Sequence, residues 1–133
     1  MSPLDLKDGG PMARRLGIVV TEASAARVVG TMPVEGNTQP YGLLNGGASL
    51  ALAETLGSIG AHLHAGPGRG AVGIEISGSH HRSARAGVVT GVATPLSLGG
   101  TVAVYEIVVS DEGGARLCTV RLTCLLRDLP AAR

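Results

Sequence analysis

The sequence predicts an α+β domain in which one long helix is wrapped by a curved antiparallel sheet. Three observations lead there. A single long segment has helical periodicity: apolar Ala48, Leu52, Leu56, Ile59 and Leu63 recur at spacings of four, four, three and four, the repeat of one helical face. The segments on either side are rich in valine, isoleucine and threonine and are separated by glycine- and proline-bearing turns, the pattern of strands joined by hairpins. Finally, 133 residues suit one domain and are too few for two, so the one helix must cover the apolar face of the sheet.

Taken in order, residues 1–17, with Gly9-Gly10-Pro11, read as an N-terminal arm holding at most one short helix. A single domain then runs over residues 18–127. "GIVVTEA" and "AARVVGTMPV" are two β-rich runs, the second stopped at Pro33 to Gly36. "EGNTQPYG" is dense in turn residues and forms a loop. The helix follows, and "HAGPGRG" at 64–70 ends it with a proline and three glycines. Four strands come next: "AVGIEISGSH", "GVVTGVATPL", "GTVAVYEIVVS" and, after the hairpin loop "DEGG", "ARLCTVRLTCLLR". Residues 128–133 form a tail expected to fray.

Composition removes several classes of function. Eleven basic and ten acidic residues give a net charge of +1, which is no footprint for nucleic acid. No basic amphipathic segment suggests a membrane surface, and the apolar stretch from Leu50 to Leu63 is broken by Glu54 and His62, so it does not span a bilayer. The N-terminus lacks a charged start followed by an apolar run, so a cytoplasmic protein is expected. Aromatics are 2% of the chain, without Trp or Phe, so the core is expected to be Val, Leu, Ile and Ala, with 21 glycines allowing close backbone approach. Cys118 and Cys124 lie about 20 Å apart along one strand, too far to bridge, and they read as buried thiols. No CxxC pairing suggests zinc.

The helix carries one lone carboxylate. On a helical wheel the apolar stripe falls within about 80°, and Glu54 lies nearly opposite it, beside Leu50, Gly57, Ser58 and Ala61. A solvent-facing helix normally carries several charges, so this face either packs on another subunit or lines a cleft. Either would partly bury the carboxylate and raise its pKa toward a value useful for base chemistry. A solvated glutamate on a bland helix fits the same spacing. At the helix start, Gly46 and Gly47 leave backbone N–H groups where the dipole favours negative charge. Such donors can hold a developing oxyanion, although a plain glycine turn is the simpler alternative.

"QPYGLLNGGASLALAETLGSIGAHL", residues 39–63, resembles the signature of the hotdog-fold acyl-CoA thioesterases. The branch is that of the PaaI-like enzymes, the Arthrobacter-type 4-hydroxybenzoyl-CoA thioesterase and the thioesterases of menaquinone and enterobactin metabolism. The similarity continues through "VGIEISGSHHRSARAGVVTGVATPLSLGG" and "RLCTVRLT", covering roughly residues 37–126. The fold it implies is a helix wrapped by an antiparallel sheet. Glu54 matches the family's catalytic carboxylate, as nucleophile or as general base on water. Gly46 matches the residue whose N–H polarises the thioester carbonyl, and Gln39 the glutamine that orients it. Ser58 matches a hydroxyl near the carboxylate or the water. The resemblance further implies substrate contacts from Gly47 and from His80, near the acyl group or pantetheine arm. Ser83 is a further candidate substrate contact, and by the resemblance Thr101 would shape the nucleotide end. Arg82 and Arg85 suit the CoA phosphates because a guanidinium matches phosphate geometry, although solvated surface arginines fit the same residues. No cofactor is expected. The resemblance also implies a site shared between two subunits of a homodimer, and a homotetramer as the larger assembly.

Where relatives carry histidine before the two glycines, this chain has Asn45. Asparagine keeps a donor but cannot titrate, and it is a strong helix N-cap. A thiolate leaving group, with a thiol pKa of about 8–9, needs little protonation, so activity is expected to survive. "HHRSAR" at 80–85 fits a metal site poorly, because adjacent strand residues such as His80 and His81 point to opposite faces. Two further readings stand beside the thioesterase: a hotdog hydratase or dehydratase, whose acid–histidine motif is missing here, and a non-catalytic dimer that binds acyl-CoA or acyl-carrier protein.

Overall fold

The computed structural model describes residues 9–130. Short helix α1 (Pro11–Leu16) leads into β1 (Val19–Ser24) and β2 (Arg27–Pro33). Helix α2 (Gly46–Ala65) follows, then β3 (Arg69–His80), β4 (Val88–Leu98), β5 (Val102–Ser110) and β6 (Arg116–Asp128). The six strands form one antiparallel sheet in the order β1-β2-β4-β5-β6-β3, and α2 touches all of them. That is the expected helix wrapped by a curved sheet. Among the described residues, no helix is long and apolar enough to cross a membrane.

The order of strands departs from a simple run of hairpins. β3 does not neighbour β4; it pairs with β6 at the far edge, and residues 81–87 carry the chain back to β4, which pairs with β2. The helix causes this. Twenty residues long, or about 30 Å at 1.5 Å per residue, α2 crosses the sheet and delivers the chain to its opposite edge.

The sheet curls further round α2 than the apolar stripe suggests. Ala48, Leu52, Leu56 and Ile59 are buried as expected, whereas Leu63 is 37% exposed. Gly57 and Ala61, placed by the wheel beside Glu54, are buried against the sheet. A Cβ on Gly57 would stand 2.7 Å from Leu122. Gly30 and Gly91, paired across β2 and β4, leave a hole that the Leu56 side chain fills, its methyls 2.7 Å from where either Cβ would be.

The aromatic-free core needs one correction. Tyr105 is the largest fully buried side chain, its ring lies against Gly60, and its hydroxyl donates to the Ala25 carbonyl at 2.5 Å. Glycine at 60 makes the room and a backbone carbonyl satisfies the hydroxyl, so a single tyrosine is accommodated without a polar penalty. The expected tail is shorter than 128–133: Asp128 ends β6 and the Leu129 N–H donates to Gly68 O at 2.9 Å. Residues 131–133 of that tail, and 1–8 of the expected arm, lie outside the described residues.

β3 is the long outer strand of the sheet, and most of it is exposed, including Val72 and Ile74. An edge of this length presents a row of unpaired backbone groups that another chain can join.

Candidate active site

The loop before α2 is fastened by Asn37, which is buried. Its Nδ2 donates to Leu16 O at 2.7 Å and to Pro33 O at 2.9 Å, tying α1 to the end of β2. Its own carbonyl accepts the Asn45 N–H at 2.9 Å, and the Leu44 N–H donates to Ala84 O at 2.8 Å. The segment that enters α2 is thereby fixed against both the loop after β2 and the 81–87 connection.

Asn45 is the helix N-cap, with φ −66°, ψ 128° and its Oδ1 accepting the Gly47 N–H at 2.7 Å. This settles the amide's orientation, because an N–H can only be met by the oxygen, and Nδ2 is left as a donor. It also changes the part Gly47 can play, since its N–H is already engaged. The Gly46 N–H has no partner among the described residues. The His80 ring packs against Gly46, Nε2 standing 2.9 Å from where a Cβ would be.

Gly46 and His80 line a cleft of about 350 Å³, whereas Asn45 and Gly47 are not part of its lining. Gln39, Ser49, His80, His81, Arg82 and Ser83 supply its polar lining, with Leu44, Ala84 and Leu117 beside Gly46. Gln39 Oε1 accepts the Tyr41 N–H at 2.5 Å, which holds the side chain in the loop and leaves its amide nitrogen to donate. The arrangement collects several donors at a helix N-terminus, where an oxyanion is best stabilised.

Glu54 lies elsewhere. Eight residues further along α2 it has risen about 12 Å from Gly46. It is exposed in the single chain and sits over Gly73 of β3. Among the described residues its carboxylate has no hydrogen bond or ion pair. Ser58, one turn later, is half-buried and lies close enough to Cys124 to act on its thiol. Burial pushes the Cys124 thiol up, the Ser58 hydrogen bond pulls it partly back, and the Glu54 charge raises it again. Burial likewise raises Cys118. Both cysteines are free and buried, and thiols held protonated in this way are poor nucleophiles.

One chain therefore presents two separate groups: donors at the start of α2, and Glu54 with Ser58 beside β3. Arg85 is exposed outside the cleft lining. Thr101 is farther still, in the β4–β5 turn, where its carbonyl accepts the Leu126 N–H. That turn is fastened to the far end of α2, His64 Nε2 donating to Gly99 O at 2.7 Å and Arg69 to Gly100 O at 2.9 Å. His64 is eighteen residues from Gly46, or about 27 Å along the helix.

Asn37 and Gly73 were not singled out by sequence. One is an asparagine in a turn-rich loop, the other a glycine among 21, and each acquires meaning only from its tertiary partner.

A family model described as the thioesterase superfamily matches residues 41–118, more than half of the chain. A proofreading thioesterase, EntH, of Cronobacter sakazakii is 48% identical over 124 residues, covering 92% of this chain and 90% of the relative. Among solved structures, a thioesterase of Haemophilus influenzae superposes with a TM-score of 0.88 at 36% identity, covering 93% of this chain and 87% of that one. A mutant thioesterase of Pseudomonas aeruginosa also gives 0.88, at 34% identity and 97% of both chains. With one long helix inside a six-stranded antiparallel sheet and these similarities, the chain belongs to the thioesterase superfamily and is a thioester hydrolase of the hotdog fold.

Proposed function

We propose that this hydrolase cleaves acyl-CoA thioesters with aromatic or other compact acyl groups, in a homodimer whose sites are each built from both subunits. The observation that carries this reading is the 12 Å separation, by helical rise, of Glu54 from the Gly46 N–H. A thioester carbonyl is far too small to meet both in one chain. The open edge of β3, directly beside Glu54, is where a second copy can add strand to strand and bring its own cleft alongside. Joining two such dimers would give the expected tetramer, and the two free thiols fit a reducing cytoplasm.

In the assembled site the Gly46 N–H of one subunit polarises the carbonyl, with Gln39 orienting the thioester. Glu54 of the other subunit removes a proton from water as its oxygen bonds to the carbonyl carbon, or attacks that carbon itself and is freed by water in a second step. Ser58 positions the carboxylate or the water. The C–S bond then breaks and the thiolate takes a proton from solvent. Asn45 supplies the cap and a second donor, Nδ2, at the place where relatives carry histidine. His80 meets the acyl group or the thiol arm, with Ser83 beside it, while Arg82 and Arg85 are assigned to the phosphates and Thr101 to the nucleotide.

The EntH relatives are named proofreading thioesterases, which favours a second reading of the substrate: a wrong acyl group on the phosphopantetheine arm of a carrier protein. The bond cleaved is the same. Thiol release from a panel of acyl-CoAs and from acylated carrier protein, with wild type and Glu54→Ala, tests both. We expect turnover that falls about 10³-fold in the variant, within the range for loss of a general base. Unchanged turnover in Glu54→Ala would overturn the assignment, and the faster substrate class identifies the carrier.

A further inference from the structure

We infer that Gly73 is a positioning residue for the reaction: its bare backbone is the seat on which the Glu54 carboxylate rests. This depends on the reading of Glu54 as the catalytic acid, and goes beyond it to ask what holds that acid in place.

Several glycines let α2 approach the sheet. Gly30, Gly78 and Gly91 each make room for a leucine side chain, Leu56 or Leu50, at 2.7 Å from the position of a Cβ. Gly73 makes room for a carboxylate instead. A Cβ there would stand 2.6 Å from Glu54 Oε2 and 3.6 Å from its Cδ, so any side chain must displace the acid. The strand itself cannot retreat, because Gly73 is paired with fully buried Cys124 on β6, and β3 is laddered to β6 along its whole length.

The register breaks at this point. Gly73 pairs with Cys124 and Glu75 with Thr123, leaving Ile74 as the extra residue of a bulge, and Ile74 is 58% exposed. A bulge locally twists its strand and re-aims what lies on it. Here it lies directly beneath the one carboxylate of α2. The turn that fixes Gly73 and the carboxylate that needs it are thus part of one arrangement. Glu54 has no hydrogen bond or ion pair among the described residues, and the bare backbone of Gly73 is where its carboxylate packs.

Alanine at 73 should fold. Gly73 is not among the positive-φ glycines, Leu122 would be in ordinary contact at 3.4 Å, and the clashing atom is the tip of a flexible side chain. We expect Gly73→Ala to lower kcat about 100-fold, the scale of a 1 Å misplacement, with KM within about twofold and Tm little changed. Gly78→Ala, which crowds Leu50 on the same strand, is the packing control and should keep kcat within about threefold. Glu54→Gln, measured alongside, should be inactive.

Wild-type kcat in Gly73→Ala with an inactive Glu54→Gln would overturn this inference and leave the catalytic reading standing. So would an equal loss in Gly78→Ala. Full activity in Glu54→Gln would overturn the catalytic reading itself, and this inference with it. If Gly73→Ala fails to fold, Glu54→Asp in the same chain withdraws the carboxylate by one methylene. Restored folding supports the contact and no restoration overturns it.

Discussion

At the start of α2 the backbone is tied on every side. Asn37 grips α1 and β2, Leu44 reaches Ala84, and Asn45 caps the helix. Eight residues on, Glu54 stands exposed at an open strand edge, with no hydrogen-bond or ion-pair partner among the described residues. The first region is held within one chain; the second presents an exposed carboxylate beside an open strand edge. Hydrogen-bonded preorganisation is what oxyanion stabilisation requires, since the donors must not reorient during reaction. A carboxylate that meets a partner subunit's substrate needs an edge left free for that subunit. In the proposed dimer the first region would supply one half of a site and the second its complement.

The sharpest way to break that comparison is to damage the halves in different chains. Gly46→Pro deletes the N–H, at a first helical position that tolerates proline and behind an Asn45 already in the extended conformation proline demands; its Cβ also presses on His80 of the same half. The Gly46→Pro dimer and a Glu54→Ala dimer should each be near inactive alone. After mixing under subunit exchange, the heterodimer regains one intact site of two, so about a quarter of wild-type activity returns at equal ratio, by two-fold symmetry. No recovery, with exchange verified by mass, would place both halves in one chain.

The next effect concerns the fastened half. Asn37→Ala leaves the Leu16 and Pro33 carbonyls without their donor, and should cost about 2 kcal/mol, the scale of a buried hydrogen-bonding group lost. We expect a lower Tm together with a fall in turnover, because the loop it anchors carries Gln39 and Asn45. A variant that loses stability but keeps kcat would show that this anchoring serves the fold alone.

How much of this was legible in the sequence follows the range of the forces involved. The helix was plain because its leucines repeat within it, and the cap at Asn45 because capping is local to four residues. The edge position of β3 was not, since strand order is decided by where a 30 Å helix delivers the chain. Tyr105 was misjudged for a related reason: its place in the core depends on Gly60, 45 positions earlier. Glu54 is recognisable as unusual, and its rise of about 12 Å from Gly46 follows from the helix alone, whereas its place over Gly73 of the edge strand β3 depends on the tertiary fold. Gly73 carries no signal of its own and gains its role from the oxygen above it.

A smaller effect tests the chemistry beneath Glu54. Cys124, Cys118 and Tyr105 all have their pKa raised, by burial first and, for Tyr105, by Cys124 beside it. Each is therefore neutral in the folded chain at a pH where the unfolded chain begins to ionise. Above the ordinary thiol value of about 8.5 the unfolded state has released protons that the folded state retains, so stability must fall as pH rises further. Below that value both states hold the proton and these groups contribute their full stabilisation. Denaturant melts across the alkaline range should show a decline that begins near the thiol value and is shallower in Cys124→Ala. In the folded protein near pH 8, a thiol reagent should leave both cysteines unmodified. Rapid labelling of Cys124 would mean that the helix and β6 part readily beneath the carboxylate, and that Glu54 rests on a less rigid floor than its contact with Gly73 implies.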